Sequence, residues 1–196
     1  MSDLVMGPEP TFGSDIPGLH IWGWMSSAEL LWLNARAGEM GSVAEIGCLR
    51  GRSSFALLSG CPGPVYCVDP WHDPGEHALT GFMESCGHFP NLRPVRSWSP
   101  AAAAEVPDVD MCFVDGSHDY DSVMADLAAW TPKTRRLICG HDYSDGRTML
   151  TTEGEHVTGY PGVKQAVDEV FGDRVELPDL TSIWAVWLYA SGPRAR

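Results

Sequence analysis

Short apolar runs alternate with helical stripes along most of this chain. Runs near Ser42–Gly47, Val65–Asp69, Leu92–Val95, Asp110–Asp115 and Arg136–His141 are bounded by polar or Gly/Pro residues and predict buried strands. Between them the spacing turns helical. Ser26-Ser-Ala-Glu29 is a capping box that opens a helix reaching about Ala37. Further helices are expected near Arg52–Leu58, His77–Cys86 and Pro100–Ala104, the last with Ser99 as N-cap and Pro100 in the first turn. Tyr120, Val123, Leu127 and Trp130 mark one face of a helix over Ser117–Trp130. Such alternation means βαβ crossovers, hence an α/β chain with a mostly parallel sheet and helices on both of its faces. Val163, Ala166, Val167, Val170 and Phe171 form a last amphipathic stripe. Arg174–Leu177 and Ser182–Leu188 then follow with so short a link that they predict an antiparallel hairpin.

The 196 residues read as one domain, with an N-terminal segment and helix up to residue 40 ahead of a core over 41–190. Met1–Met25 and Ser144–Pro161 are expected to be irregular, and loops of that length act as lids or binding loops. Their Trp22, Trp24 and Tyr160 are candidate walls of a site, or contacts with a second copy of the chain in a homo-oligomer. With 26 acidic against 13 basic residues, the net charge of −13 argues against a nucleic-acid surface. The expected substrate is a small molecule, or a neutral or cationic group on a larger one. No apolar run is long enough to span a membrane, and Asp3 and Glu9 without a basic start do not suit a signal peptide, so a cytoplasmic location is expected. The six cysteines include no C-x-x-C pair, and Cys67, Cys112 and Cys139 fall in predicted strands, as small buried hydrophobes do.

Chemistry enters with Val43-Ala-Glu-Ile-Gly-Cys-Leu-Arg-Gly-Arg-Ser-Ser54, followed by Val65-Tyr-Cys-Val-Asp69. A strand, a glycine turn opening a helix, and a second strand ending in an acid are how nucleoside cofactors are held. A dinucleotide fingerprint wants glycine where Leu49 stands, and Glu45 would repel a pyrophosphate. E-x-G-x-x-x-G instead resembles motif I of class I S-adenosylmethionine (SAM) methyltransferases, whose cofactor is cationic. On that resemblance Glu45 and Gly47 face the methionine part, Gly51 and Ser53 form the turn, and Asp69 meets the ribose. Ser97 and Trp98 flank the adenine, while Trp71, His72 and Asp115 lie close to the cofactor.

A second group follows in Asp110-Met-Cys-Phe-Val-Asp-Gly-Ser-His-Asp-Tyr120 and Leu137-Ile-Cys-Gly-His-Asp-Tyr143. The carboxyl ends of parallel strands share one crevice, so Asp115, His118, His141 and Asp142 should meet there. Singly, each has a plainer reading as a cap or a surface histidine. V-D-G-S-H-D-Y-x-S-V-x-x-D-L, G-H-D-Y and P-G-V-K-Q-A-V-D-E-V-F together resemble the type 24 methyltransferase family, which includes relatives acting on macrolides, cephamycins and aminocoumarins. The resemblance implies a Rossmann-like class I fold with a seven-stranded sheet ending in a hairpin, SAM as cofactor and a hydroxyl as acceptor. It also implies a divalent ion, magnesium or manganese, on Asp115, His141 and Asp142; imidazole in that set suits manganese better than magnesium. Asp115, His118 and His141 are the candidate catalytic residues, with His118 as base in a metal-free reaction. Two rival readings are a Rossmann-type oxidoreductase or epimerase, and a SAM-binding protein without catalysis whose histidines are structural.

Overall fold

The computed structural model describes residues 15–72, 77–144, 148–150, 156–158 and 160–188. Strands β1 (Val43–Ile46), β2 (Val65–Val68), β3 (Leu92–Val95), β4 (Val109–Val114), β5 (Thr134–Gly140) and β8 (Trp184–Trp187) form one sheet in the order β3-β2-β1-β4-β5-β8. All neighbours are parallel except β5 and β8. The strand order reverses between β1 and β4, the place where open α/β sheets bind ligands. Register sets the site: Ile46 is level with Val68 and with Val114, and Val114 with Gly140. The residues that follow, Gly47, Asp69, Asp115 and His141, therefore stand in a row at the carboxyl edge.

Both faces of the sheet are covered, which is why its strands read as unbroken apolar runs. Val43, Cys67, Phe113 and Cys139 pack with α1 (Ser27–Gly38), α2 (Arg52–Gly60) and α3 (His77–Cys86). The alternate positions Ala44, Val68, Cys112 and Ile138 pack with α4 (Ser99–Ala102), α5 (Tyr120–Trp130) and α6 (Pro161–Phe171). All six cysteines are buried and free. Among the described residues no helix is long and apolar enough to cross a membrane.

Four expectations change. The sheet has six strands instead of seven: Arg174–Leu177 shrinks to a bridge, Glu176 exchanging both backbone bonds with Ala185 (2.8 and 2.9 Å). The hairpin therefore survives as a single pair, because Gly172–Arg174 coils into a 3-10 turn and Pro178 has no N–H for a ladder. Ser99 is not the N-cap of α4. Trp98 holds that position, and the Ser99 hydroxyl accepts from Trp130 Nε1 at 2.8 Å. Helix α5 begins at Tyr120 on an Asp119 cap, leaving His118 in a loop instead of on a helix. The stretch expected to be irregular at 144–161 contains β6 (Thr148–Leu150) paired antiparallel with β7 (His156–Thr158). Residues 1–14 of the expected N-terminal lid segment Met1–Met25, and the parts of the second loop at 145–147, 151–155 and 159, lie outside the described residues.

Candidate active site

The row of strand ends opens on a cavity of about 1110 Å³, slightly above the usual range for small-molecule sites. Its wall includes Gly47, Leu49 and Ser53 from the first turn, Asp69 and His72 after β2, and Trp98 after β3. Asp115, His118, His141 and Asp142 follow from β4 and β5, and Trp22, Trp24, Tyr160 and Leu180 stand at the rim.

The first turn is built for close approach. Gly47 has φ of +85°, and a Cβ there would lie 2.1 Å from the Asp115 carbonyl oxygen. Asp69, expected at a ribose, spends its carboxylate on this turn: Oδ2 accepts from the amides of Cys48 (2.9 Å) and Leu49 (3.0 Å), and Oδ1 from that of Trp71 (2.7 Å). It still borders the cavity. Trp71 does not. Its left-handed backbone turns the ring into the core, against Phe82, with Nε1 bonded to the Leu49 carbonyl at 3.0 Å. Ser97 and Gly51 are also off the wall, and so is Glu45. Glu45 is wholly buried behind the turn, where Ser54 Oγ donates to Oε2 at 2.5 Å and Oε1 has no partner. Burial pushes its carboxyl up to about 7, against the lowering influence of the Ser53 and Ser54 hydroxyls.

Backbone strain gathers around this cavity. Among the described residues four besides glycine have positive φ: Leu49, Trp71, Asp142 and Leu180. Three of them line the cavity and the fourth braces its turn. Such conformations cost on the order of 1–3 kcal/mol each and collect at functional sites.

At the ends of β4 and β5 the acids and imidazoles do converge. His118 Nε2 lies 3.1 Å from Asp142 Oδ2 and 3.7 Å from Asp115 Oδ1. Its ring stacks on Tyr160, with centroids 4.1 Å apart and planes at 24°. Burial opposes the charged ring, but the bond to Asp115 and the charges of Asp142 and Asp115 raise its pKa above the ordinary histidine value. His141 Nδ1 faces Asp142 Oδ1 at 3.4 Å and Asp115 Oδ1 at 3.8 Å. Its other nitrogen is committed to the protein: Nε2 lies 3.0 Å from Glu29 Oε1 and 2.9 Å from Ser182 Oγ. Despite burial, the surrounding carboxylates of Asp115, Asp142 and Glu29 hold the pKa of His141 well above the usual histidine range. At this corner the donor atoms within 4.8 Å of one another belong to Asp115, His118 and Asp142, so the geometry groups His118, and not the expected His141, with the two aspartates.

Glu29 was legible only as the N3 residue of a capping box, and it does complete that box with Ser26. Its carboxylate also reaches across the molecule, accepting from Ser182 N and Oγ at 2.9 Å each. Burial would raise its pKa, but the His141 bond and charge, with the Ser182 and Ser26 amides, bring it down to about 2. No local pattern signals that second role.

Fold and motifs now point the same way. A family model described as a methyltransferase domain matches residues 44–143, from β1 to just past His141 and Asp142. The chain belongs to the type 24 methyltransferase domain family, a group of class I SAM-dependent methyltransferases. Solved structures share its fold. A Corynebacterium glutamicum protein is 20% identical, with 83% of this chain and 81% of the other covered at a TM-score of 0.61. An O-methyltransferase from Bacillus cereus in complex with S-adenosylhomocysteine (SAH) is 18% identical over 82% and 79%, at 0.58. An SAH-bound methyltransferase from Podospora anserina is 15% identical over 84% and 80%, at 0.60. No curated protein sequence matches the chain.

Proposed function

We propose that this methyltransferase moves the methyl group of SAM to a hydroxyl oxygen of a small molecule, with His118 as the base. One observation carries the reading: His118 stands between two carboxylates and against Tyr160, on the wall of the cavity that also contains the glycine turn. The donor set suits SAM, with Gly47 and Ser53 at one end of the cavity and the His72 and Trp98 rings, 5.2 Å apart, at the other. Two fold neighbours bind SAH, which adds support. When bound, SAM supplies a methyl group made electrophilic by its sulfonium.

The residues present then divide the work. An in-line displacement needs an aligned oxygen that loses its proton. With hydrogen on Nε2 donated to Asp142, His118 keeps the Nδ1 lone pair to take that proton. Asp115 and Asp142 stabilise the resulting imidazolium, and Tyr160 fixes the plane of the ring. His141, neutralised by Glu29 from behind, acts as a fixed cation that holds the two aspartates in place; it is a positioning residue and not a second base.

Transfer of labelled methyl from SAM to hydroxyl acceptors, followed across pH, tests this reading. A base must be neutral, so the rate should rise with pH through a pKa above the ordinary value of 6.5. His118→Gln should lose that rise and roughly a hundred- to ten-thousandfold in rate. Wild-type rates in the variant would remove His118 as base. Cofactor binding with no transfer to any oxygen would favour a non-catalytic protein, and NAD binding an oxidoreductase. The three convergent donors favour a second reading, in which Asp115, His118 and Asp142 hold an imidazole-tolerant divalent ion. Such an ion would lower the pKa of a bound hydroxyl. Activity lost to a chelator and restored by manganese better than by magnesium supports it; full activity in chelator rejects it.

A further inference from the structure

We propose that Arg52 is a positioning residue that closes the amino-acid end of the cofactor site by fastening residues 18–26 over the glycine turn. The inference rests on the SAM reading above. Arg52 is the first residue of α2, so its backbone belongs to the turn between Gly51 and Ser53. Its side chain leaves that turn and grips another part of the chain. Nε donates to the carbonyl of Met25 at 2.9 Å, and Nη1 to those of Leu19 at 3.2 Å and Ile21 at 2.8 Å. A rigid fork of donors placed among backbone carbonyls fixes the path of a segment that has no regular structure of its own.

The fit around Arg52 is close. A Cβ on Gly18 would lie 2.2 Å from the Arg52 carbonyl oxygen, and one on Gly23 would lie 2.8 Å from Arg52 Cδ. Arg50, on the other side of Gly51, lies 5.5 Å over the Trp22 ring, so the turn meets the segment on two sides. The segment's far end is held by the Ser26–Glu29 capping box. Fastened in this way, Gly23, Trp24, Met25 and Ser26 share the cavity wall with Gly47 and Ser53. The nucleoside end, by contrast, is bounded by His72 and Trp98 from other strand ends. A ligand part lying against Gly47 and Ser53, which for SAM is the methionine tail, is therefore enclosed by a wall whose position depends on Arg52.

Calorimetry on the full chain, with SAH and with 5′-methylthioadenosine, separates the two ends, because the second ligand keeps the nucleoside and lacks the amino-acid tail. Arg52→Met should weaken SAH roughly tenfold or more while leaving methylthioadenosine unchanged. Arg52→Lys should recover only part of the loss, since one ammonium cannot serve three carbonyls in that geometry. Gly23→Ala keeps the guanidinium but displaces its stem, and should show the same selective loss. Methylthioadenosine binding, with the melting temperature, reports that each variant is folded. Equal loss of both ligands, or unchanged SAH affinity with only a poorer acceptor KM, overturns the proposal. Failure of both ligands to bind the wild type would instead sink the cofactor reading, and the role of Arg52 with it.

Discussion

Glu29 and Glu45 are both buried, 5% and 0% exposed, yet the protein treats them in opposite ways. Glu29 collects two bonds from Ser26, two from Ser182 and a close imidazolium, and its pKa falls to about 2. Glu45 has the Ser54 hydroxyl on one oxygen and nothing on the other, and its pKa rises to about 7. Burial pushes both upward; partners decide the outcome. The difference follows from place. Glu29 joins α1 to the segment before β8 and supports the corner that holds Asp115 and Asp142. Glu45 lies behind the turn against Ser53 and Ser54, with its Oε1 buried and unpartnered.

Removing the well-partnered carboxylate should break the comparison most severely. Glu29→Ala leaves His141 charged and buried with one carboxylate side missing, at a cost of about 3–5 kcal/mol by analogy with broken buried pairs. A large drop in melting temperature is expected, with part of it recovered when His141→Asn is added. The pH dependence has a defined sign. Glu29 has a lowered pKa, so its contribution is present above 4.5 and lost as pH falls toward about 2. His141 has a raised pKa, so its contribution is present below 6.5 and fades as pH climbs through its folded value. The double variant should therefore show a flatter stability curve above about pH 6.5 than the wild type. An unchanged melting temperature in Glu29→Ala would mean that the pair adds nothing.

Glu45 should respond the other way. Its folded pKa of about 7 exceeds 4.5, so it is tolerated while protonated and becomes a burden as pH rises through that window. Glu45→Gln, neutral throughout, should gain on the wild type between those values, by on the order of 1–3 kcal/mol once above about pH 7. Urea unfolding at about pH 5 and about pH 8 checks this. A variant less stable than wild type at both would show that Glu45 is ionised and partnered after all.

What the sequence revealed, and what it hid, divides by distance along the chain. The strand ends, Gly47 and the Asp115, His118 and Asp142 group were legible because each sits inside a local pattern, and parallel register then aligns them. Ser182 meets Glu29 across 153 residues, and Arg52 meets Leu19 across 33, so no motif contains either contact. Trp71 was misplaced for a different reason: next to Asp69 it belongs on the cavity, but a left-handed backbone turns it inward. The seventh strand failed because an apolar pattern at a sheet edge cannot overrule a proline and a 3-10 turn. His141 stands at its strand end as its motif implies, but the bond of its Nε2 to Glu29, 112 residues away in the chain, lies in no motif.

The smallest effects should separate the two glutamates most cleanly, by deleting one hydroxyl from each. Ser54→Ala takes away the 2.5 Å bond to Glu45 Oε2, whereas Ser182→Ala leaves Glu29 with its Ser182 and Ser26 amides and with His141. Each change should cost about 1 kcal/mol, the usual net worth of a neutral hydrogen bond. Their pH dependence should differ. Without Ser54 the Glu45 carboxylate is harder to keep charged, so its pKa climbs above about 7 and the loss of stability with rising pH extends further. Without the Ser182 hydroxyl, Glu29 stays charged and the acid limb of the curve does not move. In a Glu45→Gln background the Ser54→Ala effect should lose its pH dependence, and a double-mutant cycle across pH isolates that coupling. Parallel stability curves for Ser54→Ala and wild type from about pH 5 to pH 8 would mean that Ser54 does not control the charge of Glu45.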